Sequence, residues 1–527
     1  MKVLICDGVS EQGVELLSKA FTVEVKKKLT PEELLAIIPE YDALVVRSET
    51  KVTKAVLQVA EKLKAIGRAG VGVDNIDVEA ATQKGIIVLN APEGNTVAAT
   101  EHTVAMMLSL ARNIPEAHAS MKNREWKRSK YVGVEMRGKT LGVVGLGRIG
   151  SGVAKRAVAM EMNVIGYDPY INAEHAKNLG IELASVDEIL AKSDFITFHM
   201  PLTPQTKYLV NQQAFAKMKP GVRLINCARG GIIEETALAE ALQSGIVAGA
   251  AIDVFEQEPI DPANPLLGLD NIVLTPHLGA STAEAQVGVA VDVAYGIIAA
   301  LRGEPVTTAV NMAPVAPHVL KLIKPYFNLA ERMGCTAVNL AEGPITGIDV
   351  EYHGDITEVD TKMLTTAVLK GLLNPILQEA VNYVNAPGLA KARNIKVKEV
   401  KSKETANFAN LITVRVTTAH GQHLVQGTLF GEEERLVNID GHRVDVDPRA
   451  RIVICPHINR PGVIGTVCTI LGMAGINISG MQVGKTAVSG TNIMVLAVDN
   501  DIPAAVLDKV TAIDGIFGAK LINFNTI

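Results

Sequence analysis

Residues 140–160 read TLGVVGLGRIGSGVAKRAVAM. A short apolar run, 141–144, leads into Gly145-Leu-Gly147-Arg-Ile-Gly150, and an amphipathic helical pattern follows. This is a strand, a tight turn and a helix. Gly145 permits the turn, Gly147 lets backbone approach a pyrophosphate, and Gly150 lets helix and strand pack closely. The helix N-terminus then offers free N–H groups to phosphate. A glycine triplet alone also serves ordinary turns, so the context decides. Asp168 closes the next apolar run, VIGYD, 18 residues after Gly150. A carboxylate there accepts from ribose hydroxyls and repels a 2′-phosphate, which favours NAD over NADP. Its bland alternative is a turn residue before Pro169.

Outward from this turn, the apolar runs recur as NVIGYD, DFITFH, VRLINCA, IVAGAAID and NIVLTPH, separated by helical patterns. That series predicts a doubly wound parallel sheet. Upstream, KVLIC, TVEV, ALVV, KAIGR and IIVLN alternate with amphipathic stretches and predict a second, smaller parallel sheet. Long helical patterns over 95–112 and 281–302 enter and leave the nucleotide unit. The chain therefore returns to its first domain, which is discontinuous.

A length of 527 residues exceeds one core and predicts several domains. The composition, 48% hydrophobic and 20% charged, is globular. The formal charge of −5 gives no reason to expect nucleic acid or an anionic membrane as a partner. The five scattered cysteines, without a CxxC, read as reduced thiols of a cytoplasmic protein, and no metal site is expected. The N-terminal MKVLICDGVSEQG lacks the apolar core of a secretory signal, and 287–301 with Asp292 reads as a packed helix.

Oxidising a secondary alcohol needs a base for the hydroxyl proton, a group to tune that base and a cation for the substrate carboxylate. Arg229 in NCARGG, Glu258 in DVFEQEP and His277 in TPHLGAST each follow one of the predicted strands. Ligands bind at such strand ends. Singly these are a surface cation, a loop acid and a capping histidine; in this order after a dinucleotide turn they form a constellation.

With these motifs, residues 1 to about 310 resemble the D-isomer-specific 2-hydroxyacid dehydrogenases. The resemblance implies His277 as general acid/base, Glu258 as its partner, and Arg229 forked onto the substrate carboxylate. It also implies that Arg148, Ile149, Met200, Cys227, Ala228, Asp253 and the His277-Leu278-Gly279-Ala280 segment surround NAD. ALVVRSETKVT, GRAGVGVDNID and PEGNTVAATEH are similar to segments of the members that oxidise D-3-phosphoglycerate. By that likeness Arg47, Ser48, Arg68 and Asn95 line the substrate cleft, and Arg128 in NREWKRSKYVG reaches a neighbouring subunit's site. Solvated strand ends are the alternative reading of these cations.

NMAPVAPH (311–318) reads as a linker. Residues 318–450, with two or three helices and then β-like runs, resemble the intervening domain of long-form members, where His442, Arg443, Arg449 and Arg451 suggest a basic cluster. Residues 451–527 follow a βαββαβ order. Their H-x-N-x-P-G turn resembles an ACT domain, which implies L-serine at a subunit interface near His457, Asn459 and Asn477. The expected architecture is α/β. A Rossmann NAD domain (96–285) is inserted in a flavodoxin-like substrate domain (1–95 and 286–311), followed by an α+β intervening domain (318–450) and a ferredoxin-like ACT domain (451–527). The expected protein is a homo-oligomer, a tetramer, oxidising 3-phosphoglycerate in serine biosynthesis. The rivals are a relative using glycerate, hydroxypyruvate or 2-hydroxyglutarate, and a catalytically dead amino-acid or NAD(H) sensor. Assays with and without the 3-phosphate, and a His277→Ala variant, separate them.

Overall fold

In the computed structural model, β1 (Lys2–Ile5), β2 (Thr22–Val25), β3 (Ala43–Val46), β4 (Ala65–Arg68) and β5 (Ile87–Asn90) form one parallel sheet in the order β2-β1-β3-β4-β5. The structure describes every residue except 305, 378, 379, 406, 450, 486–489 and 525–527, and leaves out the side chain of 317. β3 is buried along its whole length, which is why ALVV carries no polar alternation.

The chain leaves this sheet along the helix Thr96–Arg112, which packs on the second sheet, and returns along Ala283–Leu301, which packs on β4 and β5. Ala283–Leu301 is long and apolar enough to cross a membrane, and half of its apolar window is buried in the protein. The second sheet holds β6 (Thr140–Val144), β7 (Asn163–Tyr167), β8 (Glu182–Leu183), β9 (Phe195–Phe198), β10 (Val222–Asn226), β11 (Val247–Ile252) and β12 (Ile272–Leu274). All are parallel, in the order β12-β11-β10-β9-β6-β7-β8. The two-residue β8 is an addition to the six expected strands; both its residues are exposed, so no apolar run announces it.

The next unit departs further from the sequence expectation. It has four α-helices, Pro317–Ile323, Phe327–Leu340, Lys362–Leu373 and Ala386–Ala392, the first of which claims the end of the expected linker with Pro317 in its first turn. Its six-stranded sheet comprises β13 (Ile345–Gly354), β14 (Lys396–Ser402), β15 (Asn410–Thr418), β16 (Gly421–Phe430), β17 (Glu433–Ile439) and β18 (His442–Val446). β13 buries Ile348, Val350 and Tyr352 in alternation yet sits between helices, where it went unread. β14 is a mostly exposed, charged strand parallel to β13. The expected basic cluster is dispersed: Arg449 pairs with Asp447, Arg451 with Asp501, and His442 is buried.

Finally β19 (Arg451–Ile458), β20 (Ile478–Lys485), β21 (Thr491–Val498) and β22 (Lys520–Asn523) form an antiparallel sheet in the order β20-β21-β19-β22, with helices Val463–Met473 and Ala504–Thr511. One face of this sheet packs on those helices through Val453, Cys455, Met494 and Leu496. The other, through Ile452, Ile454, Ile493 and Val495, joins the core of the preceding unit around Leu329 and Met333.

Candidate active site

The glycine turn lies at the carboxyl end of β6. Gly145 has φ +94°, and a Cβ on it would stand 2.3 Å from the His199 carbonyl oxygen. A Cβ on Gly150 would stand 1.9 Å from the Gly145 carbonyl oxygen, so helix and strand could not pack. A Cβ on Gly147 would meet nothing within 4 Å: this glycine keeps a space open at the start of the helix Arg148–Ala159. That cradle fits a dinucleotide pyrophosphate. Asp168 accepts from Leu146 N at 2.9 Å and from Tyr170 N at 2.8 Å, bracing the turn beside its half-exposed carboxylate. Arg148 donates to Glu93 at 3.1 Å across the two lobes.

Three neighbouring strands deliver the reactive groups. After β10, Asn226 donates to the Arg229 carbonyl at 2.9 Å and accepts from Ala228 N at 3.1 Å, which fixes the Cys227–Ala228–Arg229 turn. Arg229 Nη1 donates to Ala228 O at 2.6 Å and Nε to Asp74 Oδ2 at 2.9 Å. After β11, Glu258 Oε1 accepts from Phe255 N at 3.1 Å, and Oε2 lies 2.7 Å from His277 Nδ1. Burial would raise the Glu258 carboxyl, but the hydrogen bond and charge of His277 hold it below the usual carboxylate range. Beside this carboxylate the Nδ1 position carries the proton, and Nε2 is left to accept from a substrate hydroxyl.

His277 itself has φ +55°, a backbone state held from below by Asp253. Asp253 is fully buried; its carbonyl accepts from His277 N at 2.9 Å. Its carboxylate accepts from Thr275 Oγ1 at 2.5 Å, Leu278 N at 2.7 Å and Gly279 N at 2.9 Å. His102 Nε2 from the connecting helix stands 3.1 Å away. Burial pushes this carboxyl up, yet these donors, His102 first, bring it below its ordinary value. Cys227 completes a donor cluster with His102 and Asp253 inside 4.8 Å; burial pushes its thiol up to about 12.

One cleft of about 650 Å³ collects Arg47, Ser48, Arg68, Asn95, Arg229 and His277, with Ile149, Met200, Ala228 and Ala280 on the nucleotide side. Burial, then the charges of Arg229 and Arg47, push the Arg68 guanidinium down to about 10, so it remains cationic. Arg68 Nε and Asn95 Oδ1 are buried there without a hydrogen-bond partner among the described residues. Leaving such groups unpaired is costly, and a bound anion with hydroxyl groups would satisfy them. Arg128 is not in this cleft; it lies in a separate surface hollow with Trp126 and Lys130.

The sequence reading missed four residues. Asp7 accepts from Arg47 N at 2.5 Å and Thr50 Oγ1 at 2.5 Å, and Asn75 donates to Arg47 O at 2.8 Å; together they set the Arg47–Thr50 loop. Asp74 pairs with Arg229, and His102 with Asp253. Asp74, Asn75 and His102 lie inside the motifs GVGVDN and TEH, from which the likeness drew Arg68 and Asn95 but not these three. In the C-terminal unit, His457 is buried with Nδ1 2.8 Å from Ile458 O and Nε2 unpartnered. Asn477 donates to Asp499 at 2.5 Å and Asn459 is exposed, so no contact joins the three within one chain among the described residues.

Residues 104–279 match the D-isomer specific 2-hydroxyacid dehydrogenase NAD binding domain, residues 322–440 the D-3-phosphoglycerate dehydrogenase intervening domain, and residues 452–515 the ACT domain. The chain is 45% identical to a D-3-phosphoglycerate dehydrogenase of Archaeoglobus fulgidus, over 99% of this chain and 100% of that relative. The Methanocaldococcus jannaschii protein of the same name is 46% identical over 99% and 100%, and that of Bacillus subtilis 44% over 99% and 99%. Among solved structures, the TT0316 protein of Thermus thermophilus superposes with a TM-score of 0.55 at 34% identity, covering 59% of this chain and all of that one. A D-lactate dehydrogenase of Aquifex aeolicus, solved with NAD and lactic acid, gives 0.52 at 29%, covering 58% of this chain and 96% of that one. The chain belongs to the D-3-phosphoglycerate dehydrogenase family, and its second domain is an NAD-binding domain.

Proposed function

We propose that this family member oxidises D-3-phosphoglycerate to 3-phosphohydroxypyruvate, the opening step of serine synthesis from that precursor. The observation that carries this reading is one cleft in which Arg47, Arg68 and Arg229 converge beside His277. A substrate with a carboxylate at one end and a phosphate at the other matches that distribution of cations; glycerate and 2-hydroxyglutarate lack the phosphate. Arg229 takes the carboxylate and the neighbouring oxygen. His277 Nε2 takes the hydroxyl proton as the carbonyl forms, and Glu258 stabilises the resulting imidazolium. Bound NAD supplies the hydride acceptor. Arg68 and Arg47 hold the phosphate, with Asn95 lining the cleft beside them.

The presence of an ACT domain supports control by a small molecule. We read the effector as L-serine, held between subunits by His457, Asn459 and Asn477, in a tetrameric cytoplasmic enzyme. Arg128 then serves a neighbour's cleft. The test is NADH formation from 3-phosphoglycerate, from glycerate and from 2-hydroxyglutarate, each titrated with serine, with the native mass measured. Equal kcat/KM on glycerate defeats the substrate assignment; serine without effect defeats the regulatory one. In His277→Ala, kcat should fall about a hundred- to ten-thousandfold.

A further inference from the structure

Resting on Arg229 as the carboxylate binder, we infer that Asp74 is a resident carboxylate holding the substrate's place on that arginine until substrate displaces it. Asp74 belongs to the substrate-domain loop after β4, and Arg229 to the nucleotide domain. Their 2.9 Å contact is therefore an ion pair across the mouth of the cleft.

Two of the five guanidinium N–H donors are engaged in this state. Nε is on Asp74 Oδ2, and Nη1 is on the Ala228 carbonyl at 2.6 Å. Nη2 lies over Gly72, close enough that a Cβ there would stand 1.8 Å from it, and 2.7 Å from Asp74 Oδ2. A two-toothed grip on an incoming carboxylate needs two adjacent N–H groups. The edge formed by Nε and Nη2 offers such a pair only when Asp74 gives up Nε. The Ala228 contact is local and built into the turn fixed by Asn226. The Asp74 side chain is 61% exposed, and Arg229 is its one ion-pair partner among the described residues. Asp74 is the ligand that leaves. An exposed carboxylate pairs weakly, so exchange is easy in both directions. The pair also neutralises one of the three cleft arginines when no substrate is present, easing their mutual repulsion.

The alternative is that Asp74 positions Arg229 for catalysis and stays. The two roles predict opposite changes in KM. In Asp74→Asn, a competing charge is gone while the shape is kept, and KM for 3-phosphoglycerate should fall about two- to fivefold. Asp74→Ala should lower it likewise, which guards against a peculiarity of the amide. Asp74→Glu, keeping the charge, should restore KM towards the wild-type value. An unchanged or raised KM in the Asn and Ala variants overturns the inference. Wild-type enzyme inert towards 3-phosphoglycerate would instead overturn the functional reading, so the two failures are distinct.

Discussion

Gly72 shows how tightly single residues are placed around Arg229. A methyl group there would enter the space of Nη2 and of the Asp74 carboxylate, both flexible side-chain ends. The backbone need not move, so Gly72→Ala should leave the thermal midpoint within a degree or two of wild type while lowering kcat/KM about tenfold or more, because the arginine fork is misplaced. Parallel melts and steady-state kinetics check the split; a large loss of stability would mean the loop itself had shifted. Glu258 tests the charge beside His277. Its folded-state carboxyl lies below the ordinary value despite burial, because His277 and Phe255 N stabilise the anion. A depressed value means that the pair's contribution is fully present above the unfolded glutamate value of about 4.3. It is lost only as pH falls through the lower folded value. Acid loss of activity through this group should therefore begin below the pH at which a free glutamate protonates. Glu258→Gln should cost about a hundredfold in kcat/KM at neutral pH and flatten that acid limb. A pH–rate profile of both proteins decides it. The residues around which these arguments turn were unevenly legible. Arg229, Glu258 and His277 stand alone after apolar runs, so chemistry singled them out. Asp74 and His102 act through another side chain, and a sequence does not show which carboxylate faces which cation.

At the scale of elements, parallel strands deliver groups to one edge because each βα turn lies at the same end of the sheet. That is why strand endings sufficed to place the cleft, and why β8, β14 and β18 did not announce themselves. β14 and β8 are mostly exposed, and β18 alternates its two buried valines with charged residues after a buried histidine over only five positions. The proposed effector residues were less legible for another reason: within one chain His457 bonds Ile458 O and Asn477 bonds Asp499, so no shared contact gathers them. The loop from Thr275 to Gly279 is held almost entirely by the fully buried Asp253. In Asp253→Asn one acceptor oxygen becomes an amide, and it would then confront a backbone N–H. Losing those charge-assisted bonds should cost about 2 kcal/mol of stability. It should also raise KM for NAD, because the same loop borders the cofactor side of the cleft. Thermal unfolding together with NAD titration checks both; a weakened melt with unaltered NAD affinity would confine Asp253 to a structural role.

Over the whole molecule, we expect two cooperative bodies and not four beads. The substrate and nucleotide domains have cores of their own, built from residues before 311. The intervening and ACT units share one, since Ile452, Ile454, Ile493, Val495, Ile522 and Phe524 complete the core around Leu329 and Met333, while the other face of the ACT sheet packs on its own two helices. Burial of each such side chain contributes about 1.5–3 kcal/mol, so the six together are on the order of 10 kcal/mol, as much as a domain's whole net stability. The two bodies meet at smaller contacts: Asn382 donates to Gly85 O at 2.7 Å. A chain cut after residue 446 should lose the intervening fold along with the ACT domain, whereas a chain cut after 316 should keep the unfolding transition of the catalytic pair. Calorimetry of the full chain should resolve two transitions. The 1–446 chain should show only one, with exposed apolar surface reported by dye binding; a folded intervening domain in it would refute the shared core.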